Sequence, residues 1–255
     1  MSSSSPRRVS PSDKILLYGL SAGRCACPNC RREVILVDED TDDANNIGKI
    51  AHIVAHSNNG PRGDPAFPSH LRDKYDNLIL LCPLCHDIID AQDSKYSVEQ
   101  LRHIKRDHEQ WVRSTLVKIM PSIGYGELEI IIQSLCCSKI TPYSGDLQVA
   151  PLQEKILKNG LTPNSNFSIT MGLSKQKDVQ KIVTRLSKID PTFPDRFKQG
   201  FIDKYNELFR MGIRGDALFE ALHEFSYSKS HEFKRQAAGL AILTYLFEAC
   251  EVFEK

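Results

Sequence analysis

Histidines, cysteine pairs, an asparagine and an aspartate crowd one stretch of this chain, and these are the residue types that hold metal ions and move protons. Ile50-Ala51-His52-Ile53-Val54-Ala55-His56 ends an apolar run in histidine. A polar loop follows, and then Asp76-Asn77-Leu78-Ile79-Leu80-Leu81-Cys82-Pro83-Leu84-Cys85-His86-Asp87-Ile88-Ile89-Asp90. Neutral imidazole is a base near neutral pH and a good metal ligand. Asp90 comes four residues after His86, so a helix here places both side chains on one face. A carboxylate is also the ligand that magnesium prefers. A lone His52 would read as a packed or surface histidine; His52, Asn77 and His86 together change that reading.

The cysteines suggest a second, structural site. Cys27-Pro28-Asn29-Cys30 and Cys82-Pro83-Leu84-Cys85 are two Cys-x-x-Cys pairs with 51 residues between Cys30 and Cys82, longer than the spacing of a zinc ribbon. Either pair alone could be a thioredoxin-like redox motif. Two pairs, each with a proline beside a cysteine, fit two knuckles closing one tetrahedral zinc better than two redox sites. Four thiolates leave no open position, which makes such a site structural. Cys25 reads as a bystander that could substitute for one of the four. With no apolar signal core at Met1-Ser2-Ser3-Ser4-Ser5-Pro6-Arg7-Arg8, the eight cysteines point to metal-bound thiolates in a cytoplasmic protein rather than disulfides.

The elements that must position these groups are legible in outline. Leu78 to Leu81 is a short apolar run suited to a buried strand or to the lead into a helix, and Cys82 to Asp90 reads as a metal knuckle opening that helix. Val34-Ile35-Leu36-Val37 reads as a strand, and residues 14–20 as a short amphipathic helix or strand. Residues 38–43, with five carboxylates in six positions, lack the spacing and glycine of a calcium loop and read as a solvated turn. Asn58-Asn59-Gly60-Pro61-Arg62-Gly63-Asp64-Pro65 is a cluster of turn residues. Ser97-x-x-Gln100 is a capping box for a long helix whose Val98, Leu101, Ile104 and Trp111 recur at helical spacing. Its other face carries Arg102, Lys105, Arg106 and Arg113, either a solvated surface or a phosphate contact.

Together, these motifs resemble the HNH endonucleases. In that family a β-hairpin and the following helix clasp one divalent ion. The first histidine closes the first strand, the asparagine lies in the connecting loop and the last histidine sits on the helix. His52, Asn77 and His86 fill those places, and the cysteine pairs resemble the zinc-stapled subgroup. The resemblance spans about residues 20–113 and includes Gly60-Pro61-Arg62-Gly63-Asp64 and His108-Glu109-x-Trp111. It implies an α+β chain: a small zinc-stapled ββα-metal domain cutting DNA with Mg²⁺ or Mn²⁺, followed by a mostly helical domain. By resemblance, His52 activates the water, Asn77 holds the loop and the His52 ring, and His86 binds the ion; Asp90, one turn on along the same face, is a candidate ligand by its spacing. Many members carry Asp or His just before the first histidine as a second ligand, and here that position is Ala51. Either His56 or Asp90 replaces it, or His52 is a ligand and His56 the base.

Beyond the motifs, the chain changes character. Six of its eight histidines and five of its eight cysteines precede residue 115. The expected division is a disordered tail at 1–12, a nuclease domain at 13–120 and a helical association or targeting domain at 121–255. Helices are expected at 127–135, 175–189, 195–209, 216–225 and 232–253, each with apolar residues at three- and four-residue steps. Residues 246–253, Leu-Phe-Glu-Ala-Cys-Glu-Val-Phe, resemble the C-terminal domain of ABC-three-component bacterial defence proteins. This implies an effector with a protein partner or a second copy of itself. A net charge of +1 confines any nucleic-acid surface to a local patch. No run reaches 18 apolar residues, so no membrane helix is expected.

Overall fold

The computed structural model describes residues 9–37, 44–136, 151–227 and 232–249. The chain is mixed α and β, mostly helical, and divides into two compact units at Ser114/Thr115. That division falls inside a continuous helix rather than at residue 120. The first eight residues, the acidic stretch 38–43 and the end of the 246–253 motif lie outside the described residues.

The first unit begins with helix α1 (Pro11–Leu20), so Pro11 and Ser12 belong to a helix rather than to a disordered tail. Ser10 caps it by accepting the Asp13 amide at 3.1 Å, and proline at the first helical position is already set to helical φ. Two antiparallel pairs follow. Strand β1 (Ile35–Val37) pairs with β2 (Ala44–Asn46). Strand β3 (Lys49–His52) pairs with β4 (Leu78–Leu81) so that Ala51 faces Ile79 and His52 faces Leu78.

All four β4 residues are fully buried, as an uninterrupted apolar run demands. One edge of β4 carries β3. On the other side its Leu80 carbonyl accepts the Ala26 amide at 2.8 Å, which seats the cysteine-rich turn against the strand. Helix α2 (Pro83–Ala91) starts directly off β4, with the Cys82 sulfur taking the capping place over the Cys85 amide at 3.5 Å. Helix α3 (Val98–Ile119) is capped by Ser97, which accepts the Gln100 amide at 3.3 Å.

Lys105 does not belong to an exposed basic stripe on α3. It is buried, donates to the Tyr75 and Leu78 carbonyls at 2.5 and 2.8 Å, and lies over the Tyr75 ring at 3.4 Å. Burial lowers its pKa to about 8, against the pull of Glu109, Asp76 and Asp13. Arg102 and Arg106 remain exposed.

In the second unit, α4 (Tyr125–Ser134), α7 (Gln176–Ile189), α8 (Phe193–Arg210), α9 (Gly215–Ser226) and α10 (Phe233–Ala249) stand where the apolar spacing puts helices. Two more, α5 (Leu152–Lys158) and α6 (Pro163–Leu173), are short or rich in Asn, Ser and Gly, and are not among the helices expected from the apolar spacing. Helix α10 is buried continuously from Gln236 to Phe247, so it is the core of this unit rather than one of its amphipathic walls. Helix α6 approaches it through Gly172. The buried Lys155 ammonium caps its end, donating to the carbonyls of Phe247 and Glu248 at 3.3 and 2.9 Å.

Candidate functional site

Four cysteine sulfurs, those of Cys25, Cys30, Cys82 and Cys85, lie within 4.8 Å of one another, an arrangement suited to a metal ion. Here the structure corrects the sequence expectation: Cys25 joins Cys30, Cys82 and Cys85, and Cys27 is not in the set. The Cys27 carbonyl instead accepts the amides of Cys30 and Arg31 at 3.0 and 3.2 Å, making the turn that aims Cys30. Arg31 takes a left-handed φ of 47° there. Its guanidinium covers the Trp111 ring at 4.1 Å and meets His108 Nδ1 at 2.9 Å, anchoring the turn on α3.

The donor set fits a tetrahedral ion. Bonds of 2.3 Å from a central zinc require sulfur–sulfur edges of about 3.8 Å, and Cys30 and Cys82 are 3.8 Å apart. Burial pushes the Cys25 thiol up to about 12, although the Cys82 and Cys27 backbones hydrogen-bond to it. Cys85 is likewise raised by burial and by Cys25 beside it. Burial also disfavours the Cys30 thiolate, but Arg32 and the neighbouring thiols outweigh it and bring the group to about 7. Thiolates gathered this closely repel one another, and a bound cation would take up that charge.

The second group surrounds a cleft of about 190 Å³ whose lining includes His52, His56, Arg62, His86 and Asp90. His52 is the last residue of β3, His56 follows in the loop, and His86 and Asp90 share one face of α2. The 52 and 56 rings are 5.6 Å apart, edge to face. His86 Nδ1 lies 3.4 Å from Asp87 and 3.7 Å from Asp90. Ala51 is buried and brings no ligand atom.

Asn77, 3% exposed, closes a short 3₁₀ turn (Tyr75–Asn77) ahead of β4. Its amide accepts the Val54 N–H and donates to the Val54 and Arg72 carbonyls, each at 2.9 Å. It therefore pins the loop just beyond β3. The His52 ring, however, is met by Asp73, at 2.8 Å between Nε2 and Oδ1.

Three residues here have no signal in the spacing. Asp73 faces both histidines, with its other oxygen 3.8 Å from His56 Nε2. Arg72 is buried and donates to the carbonyls of Ala55, Asp64 and Phe67 and to the Asn58 side chain, which organises the polar loop. Arg62, at φ 61°, reaches from that loop to the Ile53 carbonyl at 3.2 Å, the Ile89 carbonyl at 3.3 Å and Asp90 Oδ1 at 2.6 Å. It ties the His52 strand to the His86 helix, and it occupies one oxygen of the expected ion ligand. The loop's composition forecast turns, but not which of its charged side chains would fold inward.

No family model matches the chain, and no curated protein matches it either.

Proposed function

We propose that this chain is a metal-dependent endonuclease of the HNH kind that hydrolyses DNA phosphodiester bonds, as the effector subunit of a bacterial anti-phage defence system. The observation that carries this reading is the convergence of His52, His56, His86 and Asp90 on one cleft, from a strand end, a loop and a helix face. His52 takes the proton of the attacking water. His86 and Asp90 would hold a magnesium or manganese ion, a nitrogen and a carboxylate being suitable donors. Such an ion, when bound, stabilises charge on the phosphate and the leaving oxygen. Asn77 and Arg62 keep the two walls of the cleft in register. Zinc on the cysteine cluster would staple the turn preceding β1 to the start of α2. The helical unit would serve association, with a partner or a second copy.

Two observations favour a second reading, a zinc-stabilised nucleic-acid-binding or assembly subunit without catalysis. Ala51 supplies no ligand, and Arg62 already neutralises Asp90. Incubating the full-length protein with plasmid and with short RNA, with and without Mg²⁺ or Mn²⁺, separates the two. Ion-dependent nicking or linearisation of the plasmid supports the nuclease. A folded, zinc-loaded protein that binds DNA and leaves it intact supports the second reading.

A further inference from the structure

We propose that Asp73 is the positioning residue of the base: it selects the tautomer and orientation of the His52 ring, and thereby makes His52 rather than His56 the proton acceptor. This rests on the nuclease reading above for its catalytic consequence, but not for its geometry. An ionised carboxylate has no proton to give. The 2.8 Å contact between Asp73 Oδ1 and His52 Nε2 therefore requires the hydrogen to be on Nε2. A neutral His52 ring then keeps its lone pair on Nδ1, which becomes the basic atom. When that atom takes a proton, the imidazolium stays against a carboxylate that stabilises it.

The two histidines are not equivalent in this arrangement. Asp73 Oδ2 lies 3.8 Å from His56 Nε2, too far for a hydrogen bond and close enough for charge attraction alone. Asp73 holds His52 by a hydrogen bond and merely faces His56.

Asp73 is itself held from both sides along the chain. The preceding residue, Arg72, is fastened to Ala55, Asn58, Asp64 and Phe67, and its carbonyl accepts the Asn77 amide at 2.9 Å. The Tyr75 amide donates to Asp13 of α1 at 2.9 Å. The carboxylate is thus presented by a fixed loop rather than by a solvated surface side chain.

Imidazole-detected ¹H–¹⁵N spectra of the ¹⁵N-labelled full-length protein, recorded above the range in which histidine titrates, test this directly. The His52 signals are identified by their loss in His52→Gln. Wild type should show His52 as the Nε2–H tautomer, and Asp73→Ala should turn it into a tautomer mixture. Asp73→Glu should restore part of the bias. In the cleavage assay, Asp73→Ala should lower kcat about 10–100-fold, the usual effect of losing a residue that orients another. KM for DNA and Mn²⁺ affinity should stay unchanged, and Asp73→Glu should recover part of kcat. If Asp73→Ala does not fold, Asp73→Asn carries the same measurements, since an amide can donate or accept and fixes neither tautomer. An Nε2–H tautomer that survives the loss of the carboxylate overturns the proposal, as does an unchanged kcat. A wild-type protein that cleaves nothing while its His52 tautomer depends on Asp73 counts against the nuclease and for the Asp73 contact.

Discussion

His52 and His86 line one cleft with different neighbours, so their losses should differ in kind. His52→Ala removes the proposed base and leaves the α2 donors in place. Cleavage should fall by roughly 10²–10⁴, with Mn²⁺ binding nearly unchanged in titration. His86→Ala should weaken Mn²⁺ affinity and be partly rescued at high ion concentration. Asp90→Ala should weaken the ion less, but it also strips the buried Arg62 guanidinium of its counter-charge. It should therefore lower the melting temperature where His86→Ala does not; equal melting of the two would mean that Arg62 does not depend on Asp90. His108, 1% exposed, offers a pH test. Burial first, and then Arg31 and Arg24, lower its pKa from 6.5 to about 4, although the Ser21 carbonyl pulls the other way. The unfolded chain then binds the extra proton between pH 6.5 and 4, so stability is lost as pH falls through that window. In His108→Gln the loss across that window should be shallower, as measured by denaturant unfolding at a series of pH values.

At the level of elements, the cysteine turn, β4 and α2 form one device. Cys82 directly follows the buried strand, caps the helix and belongs to the thiol cluster, so a metal there would fix strand, turn and helix together. Cys25 sits in that cluster and Cys27 shapes the turn beside it. Metal-binding energy at such a site is folding energy. Cys25→Ser should therefore lose the roughly one zinc per chain that a Cys₄ site holds, and with it the folding of the first unit. Cys27→Ser should keep both. Elemental analysis and circular dichroism of the two variants decide the matter, and the reverse result would restore Cys27 to the set.

Across the whole molecule, the two units draw on different sources of stability. Among the described residues the first has short strands, two small sheets and a metal-type cluster; the second packs helices around the continuously buried α10. Chelation should accordingly lower the melting of the first unit and leave the second unmoved. The converse perturbation is Gly172→Val on α6. Even a Cβ at that position would lie 2.4 Å from Thr244 Oγ1 and 2.8 Å from the Leu240 carbonyl of α10. Overpacking of this kind costs about 1–3 kcal/mol or more. It should lower the melting of the second unit alone, in calorimetry with zinc present. A single transition that moves under both treatments would mean that the two units unfold as one.

What the sequence determined by itself follows from local chemistry. A run of four apolar residues after a polar loop marked a buried strand or the lead into a helix, a proline after Cys82 opened α2, and three- and four-residue apolar steps marked five helices of the second unit. Helical spacing also placed His86 and Asp90 on one face before any fold was known. Tertiary structure decided what depends on neighbours distant along the chain. Cys25 and Cys27 are two residues apart and chemically identical, and only the folded turn decides which sulfur joins Cys30, Cys82 and Cys85. Lys105 reads as one charge in a basic stripe until burial against Tyr75 and Leu78 turns it inward. Asp73 and Arg62 sit among other charged loop residues, and nothing in their spacing separates them from solvated ones. Long-range packing folds that loop over the end of β3, and it is this packing that brings their charges against His52 and Asp90.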